Sequence, residues 1–165
     1  MSTGTKLEIR PYTETDDRKI ANYSLPEEQA IYTSLPLDIV EAFQQDPCNL
    51  PFVIYAETEL VGCFAIYTDP SGNIYTRNEK ALLLKSFSID SRFQNRGYAL
   101  DTLYSLPEIS QRLFPDKQEI ILTVHHTNTP ARNLYEKAGF IDQGLRFAGE
   151  YGEELILHYA LESGK

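Results

Sequence analysis

Gln94-Asn95-Arg96-Gly97-Tyr98-Ala99 is the stretch whose reading decides this fold. It follows a strand-like apolar run, Ala81-Leu82-Leu83-Leu84-Lys85-Ser86-Phe87-Ser88-Ile89-Asp90. It opens a helical pattern with Leu100, Leu103 and Tyr104 on one face. A strand that enters a glycine turn and then a helix forms a phosphate cradle. Backbone N–H groups converge there, and the helix N-terminus adds roughly half a positive charge. Gly97 permits close approach of an anion to the backbone, and Ala99 keeps the turn tight. Gln94 can add a side-chain hydrogen bond, and Arg92 or Arg96 can add charge. An ordinary strand–helix turn can carry the same glycine, so the surrounding chain has to decide.

Upstream, Leu7-Glu8-Ile9-Arg10 alternates as a short strand, and Thr13 with Asp16 marks a helix start that points Ile20 inward. Ser24-Leu25-Pro26-Glu27-Glu28 breaks that helix. Pro36 begins another, with Ile39, Val40 and Phe43 at helical spacing, ended by Asp46-Pro47. Phe52–Ala56 and Leu60–Tyr67 read as a hairpin around Glu57-Thr58-Glu59.

Downstream, Pro107 interrupts the helix, and Ser105-Leu106-Pro107-Glu108 reads as a capping box that restarts it, so a kink or a two-part helix is expected. Glu119–Val124 is a buried strand, Asn128–Ala138 a helix closed by Gly139, and Ile141–Phe147 and Glu154–Tyr159 a last strand pair. The order βααβββαβαββ predicts an α/β fold with a mixed sheet of about seven strands flanked by helices.

The chain has 165 residues, which suits one domain spanning 1–165 with a substantial core. Its formal net charge of -9 argues against nucleic acid, which needs a basic surface, and is compatible with a cationic substrate. No apolar run is long enough to span a membrane. Met1–Lys6 lacks the apolar core of a secretory signal, and Cys48 and Cys63 fall in no metal-ligand or redox spacing, so a reduced, cytoplasmic setting is expected. Cys63, inside an apolar run, reads as a buried inert thiol. Three scattered histidines without cysteine ligands make no metal site.

A second motif joins the first. Asn128-Thr129-Pro130-Ala131-Arg132-Asn133-Leu134-Tyr135-Glu136-Lys137-Ala138-Gly139-Phe140 is separated from Gln94–Ala99 by a helix and a strand. Both motifs, in this element order, resemble the GNAT family of N-acetyltransferases over nearly the whole chain. The pattern around Arg10-Pro11-Tyr12 and Glu27-Glu28-Gln29 looks similar to its bacterial small-molecule members.

The resemblance implies a mostly antiparallel sheet with splayed strands four and five, and acetyl-CoA as acetyl donor. It implies that Gln94, Asn95, Arg96, Gly97, Tyr98 and Ala99 hold the diphosphate. The backbone of Phe87, Ser88 and Ile89 would pair with the extended pantetheine arm like an added strand. Tyr135 would protonate the departing thiolate. Asn128 and Asn133 are CoA-contacting or helix-capping residues. The base that deprotonates the amine is open among His125, Glu27, Glu28 and a water chain, with the two glutamates also placed to bind the acceptor.

The implied reaction is direct attack of a primary amine, on a small cationic molecule, in a ternary complex. A protein or peptide N-terminus is the alternative acceptor, and a non-catalytic acyl-CoA sensor the alternative function. Family members often form homodimers, for which the last strands offer a surface.

Overall fold

The computed structural model describes residues 6–161, so the segment Met1–Lys6 read above as lacking a secretory signal lies outside the described residues apart from Lys6. In chain order the elements are β1 (Leu7–Pro11), α1 (Asp17–Ile20), α2 (Glu27–Ala30), α3 (Pro36–Gln45), β2 (Asn49–Ala56), β3 (Glu59–Tyr67), β4 (Ala81–Ile89), α4 (Tyr98–Leu113), β5 (Glu119–His125), α5 (Thr129–Lys137), β6 (Ile141–Gly149) and β7 (Gly152–Ala160). Single 3-10 turns occupy Glu14–Asp16, Pro70–Gly72 and Ser91–Phe93.

The strands run in the order β1-β2-β3-β4-β5-β7-β6. Pairs β1/β2, β2/β3, β5/β7 and β6/β7 are antiparallel. The β4/β5 pair is parallel and joins Ala81, Leu82 and Leu83 to Glu119, Ile120 and Ile121. That short ladder at the start of both strands agrees with the splay expected of them. The mixed, mostly antiparallel seven-stranded sheet is therefore observed.

Two expectations need correction. The segment read as only breaking the first helix leads into a further one before β2, α2 at Glu27–Ala30, with Pro26 at its N-cap in an extended conformation. Pro107 lies inside a continuous α4, with no restart at Ser105. The buried face of α4 runs through Thr102, Leu103, Leu106, Ile109 and Ser110, whereas Tyr104 is 57% exposed. A proline removes one N–H from the ladder, and an apolar face at this spacing can hold the helix through it.

By contact density the chain forms two units, Met1–Tyr67 with Lys85–Thr102, and Thr68–Leu84 with Leu103–Lys165. In the first, β2 and β3 are apolar on both faces and almost wholly buried. Phe52 stacks on Phe64 with ring centroids 5.0 Å apart, and Phe87 meets Phe64 edge-on. On the other face Ile20, Tyr23, Ile39, Val40, Val53, Cys63 and Ala65 form a core cluster. Cys63 is the buried, inert thiol expected, and burial pushes its pKa up to about 11. Asp16 is buried too, and its carboxylate accepts from Arg10 at 2.9 and 2.6 Å, from the Thr13 N–H at 2.9 Å and from the Tyr55 hydroxyl at 2.7 Å. A buried carboxylate is stable only when its oxygens are satisfied in this way.

In the second unit Ile120, Ile121, Leu122 and Leu157 are fully buried. His158 Nδ1 lies 3.0 Å from Glu119, which also accepts from Asn78 at 2.6 Å. The side chain of Asn128 caps α5 by accepting from the Ala131 N–H, and Gly139, at φ 106°, ends that helix as anticipated.

Gly62 in β3 has a role that its sequence context hides. A Cβ there would meet Ile89 Cδ1 and the Ser88 carbonyl oxygen at 2.8 Å and Ile54 Cδ1 at 2.9 Å. The β4 backbone comes so near only because the side chain is absent. Gly62→Ala should therefore cost about 1–3 kcal/mol, as overpacking usually does. Urea unfolding of the two proteins measures the loss, and equal midpoints would show that β4 can retreat freely.

Candidate active site

The end of β4 and the turn after it are held by one carboxylate. Asp90 is completely buried. Its Oδ1 accepts from the Arg92 N–H at 2.9 Å and Arg92 Nε at 3.1 Å. Its Oδ2 accepts from the Ser24 N–H at 3.1 Å and a terminal Arg92 nitrogen at 3.0 Å. Backbone bonds run alongside, from Asp90 N–H to Val61 O at 2.7 Å and from Ser91 N–H to Ser24 O at 2.8 Å. Burial alone would raise the Asp90 pKa. The Arg92 guanidinium and the N–H groups of Arg92 and Ser24 outweigh it and hold the carboxyl below its ordinary value. Arg92 is thus committed to Asp90 and, at 5.3 Å, to the face of Phe93. Arg96 lies over the same ring at 5.4 Å, is exposed, and remains the cation of this turn that a diphosphate can reach.

Beyond Arg92 the turn alternates conformations. Asn95 at φ 63° and Gly97 at φ 82° are both left-handed, with Arg96 between them. Such alternation turns successive N–H groups toward one side and makes an anion-binding concavity. Asp101 N–H bonds Gly97 O at 3.0 Å. The N–H groups of Tyr98, Ala99 and Leu100 come before that bond and have no acceptor within the helix. These donors fit a diphosphate. The amide of Gln94 donates to Ile89 O, so its first role is to tie the turn back to β4, and its own carbonyl is left for a ligand.

The end of β4, where the backbone of Phe87, Ser88 and Ile89 is expected to meet the donor, is also anchored by side chains. Ser88 Oγ lies 2.7 Å from the Tyr23 hydroxyl and 3.7 Å from Cys63 Sγ, all three buried. Just before it, Ser86 takes φ 56°, a left-handed conformation rare for a non-glycine residue inside a strand. Such a residue breaks the two-residue alternation of the strand, and strain of this kind gathers at functional sites.

In the second unit Tyr135 is half-buried on α5, with its ring 6.0 Å from that of Phe140. Burial pushes its pKa up to about 12. Its hydroxyl makes no hydrogen bond among the described residues and is therefore protonated and uncommitted at neutral pH.

His125 is differently placed. Nδ1 accepts from the Thr127 N–H at 3.2 Å and lies 2.7 Å from the Thr127 hydroxyl, which leaves Nε2 as the protonated nitrogen donating to Tyr151 O at 2.8 Å. Both ring nitrogens are engaged by the protein. Asn128 spends its side-chain oxygen on the helix cap, Asn133 is exposed on α5, and Glu27 and Glu28 are exposed on α2. Among the described residues no group of three or more His, Cys, Asp or Glu side chains could hold a metal ion, and no helix is long and apolar enough to cross a membrane.

Residues 17–140 match the Acetyltransferase (GNAT) family. The chain belongs to this family. It is 35% identical over 144 residues to the Bacillus subtilis (strain 168) uncharacterized N-acetyltransferase YbbJ, a match that spans 87% of this chain and 90% of that one. Solved GNAT-fold structures superpose on it. One is the aminoglycoside acetyltransferase AAC(6')-Ib in complex with coenzyme A, at TM-score 0.74 and 16% identity over 94% of this chain and 95% of that one. Another is the Vibrio cholerae spermidine N-acetyltransferase in complex with CoA and spermine, at TM-score 0.69 and 19% identity over 93% and 95% of the two chains. This GNAT chain is accordingly an acetyl-CoA-dependent N-acetyltransferase.

Two features of the site went unread in the sequence, the Asp90 clamp and the left-handed Ser86. Asp90 had a local signal, since an Asp two residues before an Arg at a strand end forms an Asx turn. Ser86 had none. The depressed Asp90 pKa fixes the sign of a pH effect. Its contribution is present above the unfolded carboxylate value and is lost as pH falls through the lower folded value. Asp90→Asn should lower stability by about 1–3 kcal/mol at pH 7, the cost of weakening charged hydrogen bonds, and should flatten the acid limb. Chemical unfolding from pH 7 down to pH 3 measures both, and parallel curves for the two proteins would refute the clamp.

Proposed function

We propose that this chain transfers an acetyl group from acetyl-CoA to a primary amine of a small molecule by direct attack, with Tyr135 as general acid. The observation that carries the reading is the protonated Tyr135 hydroxyl on the second family motif, which has no hydrogen-bond partner among the described residues. Acetyl-CoA supplies the acetyl group as a thioester. The alternating turn Gln94–Ala99 binds its diphosphate, with Gly97 supplying the close approach and Arg96 the charge. The backbone of Phe87, Ser88 and Ile89 pairs with the amide-rich arm, held in place by Tyr23 and Asp90.

In the transfer the amine nitrogen forms a bond to the acetyl carbon and the carbon–sulfur bond breaks. The Tyr135 proton passes to the sulfur, and the proton lost by the nitrogen returns to solvent and so to the tyrosine. Asn133 is free to meet the donor, whereas Asn128 serves the helix cap. His125 holds the turn at Tyr151, because its Nδ1 must release the Thr127 N–H before it can take a proton. The net charge of -9 and the exposed pair Glu27 and Glu28 favour an acceptor that approaches as a cation. The spermine bound to the Vibrio cholerae neighbour supports an amine of modest size.

A free-thiol release assay with acetyl-CoA against polyamines, amino acids, aminoglycosides and short peptides tests the reading. Saturable turnover with small amines supports it. Turnover with peptides alone would transfer the activity to protein N-termini, and tight acetyl-CoA binding with no turnover would make the chain a sensor. Tyr135→Phe should reduce kcat by about 100-fold, the lower end of what general acids contribute, with acetyl-CoA affinity unchanged. Since the hydroxyl titrates near pH 12, any alkaline fall in wild-type rate below pH 10 should persist in the variant. An unchanged kcat across pH would remove Tyr135 from proton transfer.

A further inference from the structure

Beside the strained residue of β4 lies a cleft of about 170 Å³, entirely within the first unit and lined by Ser34, Asp38, Ile39, Asn49, Lys85 and Ser86 among others. It is smaller than the roughly 300–1,000 Å³ of clefts that enclose drug-sized ligands, so it suits a small metabolite. The lining mixes the apolar Ile39, Ala42 and Ala65 with polar side chains, and it includes charges of both signs.

Asp38, in the first turn of α3, makes no ion pair among the described residues. Lys85 makes none either. Its ammonium donates to Asn49 Oδ1 at 3.2 Å and lies 5.4 Å from the Tyr67 ring centroid, which fixes its direction but leaves two protons. Asp38 and Lys85 are both exposed and line one cleft without pairing with each other, so a ligand that carries both charges can meet complementary groups there. A lysine here is also the wrong sign for a purely polycationic guest, in a chain with 24 acidic and 15 basic residues. The cleft opens at Ser86, whose left-handed backbone stands immediately before Phe87, the first residue given to the pantetheine arm. A ligand in it borders the strand that carries the donor.

We propose that this cleft seats an acceptor bearing a carboxylate as well as amines, an amino-acid-like zwitterion, with the carboxylate on Lys85 and an ammonium group toward Asp38. The inference rests on the acetyl-CoA reading above and narrows its acceptor. It favours a compact diamino acid over a linear polyamine, and it makes Lys85 and Asp38 specificity residues rather than catalytic ones.

Matched pairs that differ only in the carboxylate test it: lysine against cadaverine and ornithine against putrescine, with acetyl-CoA affinity measured in parallel by calorimetry. The wild type should prefer the carboxylated member by about tenfold or more in kcat/KM, as one charged hydrogen bond provides. Lys85→Gln should erase that preference while the affinity for acetyl-CoA stays the same, and Lys85→Arg should restore most of it. Asp38→Asn should raise KM for both members of a pair. Preference for the diamines, a preference unchanged in Lys85→Gln, or no turnover of either member while acetyl-CoA still binds would overturn the zwitterion assignment and leave the donor site standing. Loss of acetyl-CoA binding in the wild type would instead overturn the donor reading and this inference with it.

Discussion

A carboxylate without solvent has to be satisfied by the chain around it, and Asp90 meets that demand with four hydrogen bonds from two segments far apart in sequence. Ser24 comes from the link between α1 and α2, and Arg92 from the turn that follows β4. Neither segment can drift while the charge stays buried, because an unpaired carboxylate in that position would cost several kcal/mol. The alternating turn at Asn95 and Gly97 begins three residues after Arg92. Its N–H groups can act as a preorganised anion seat because the strand end behind them is fixed. Binding energy is then not spent on ordering the loop.

The β4 backbone is placed by the same kind of constraint. Gly62 lets Ser88 O approach to a distance that a side chain would forbid, and the Tyr23 hydroxyl hydrogen-bonds with Ser88 Oγ. A strand positioned so tightly can offer its remaining backbone groups to an extended ligand without reorganising. Ser86, just before this fixed segment, carries backbone strain that the surrounding packing sustains. The strain lies beside the cleft, where a change in strand phase alters which side chains line the wall.

Much of this was legible in the residues, for identifiable reasons. The turn Gln94–Ala99 and the helix from Asn128 to Gly139 could be read because glycine and a capping asparagine act locally. Their conformations depend on neighbours within a few positions. The strands were visible because β2 and β3 are apolar throughout. The role of Arg92 was not legible: an arginine next to a phosphate turn suggests charge, and only the fold shows that Asp90 claims it. The helix restart expected at Ser105 does not occur, for a related reason. A proline's local cost is fixed, while the packing of Leu103, Leu106 and Ile109 that holds the helix through it is tertiary. Histidine is an apt base by type, but the ring contacts of His125 to Thr127 and to Tyr151 exist only in the fold, the second with a turn 26 residues away.

Net charge and local charge speak to different steps of recognition. A chain at -9 draws cations from solution, and that long-range field acts on the rate of encounter. Inside a cleft the field of the nearest groups decides what stays, since screening and distance remove the rest. Lys85 reverses the sign of the chain's overall charge at one wall, and Asn49 and Tyr67 hold its ammonium there. Lys85 is exposed, but a hydrogen bond and an aromatic face restrain its ammonium at a cleft that Asp38 also lines. Bulk charge thus acts on the encounter with a cation, whereas Lys85 and Asp38 can act only on a ligand already at the cleft.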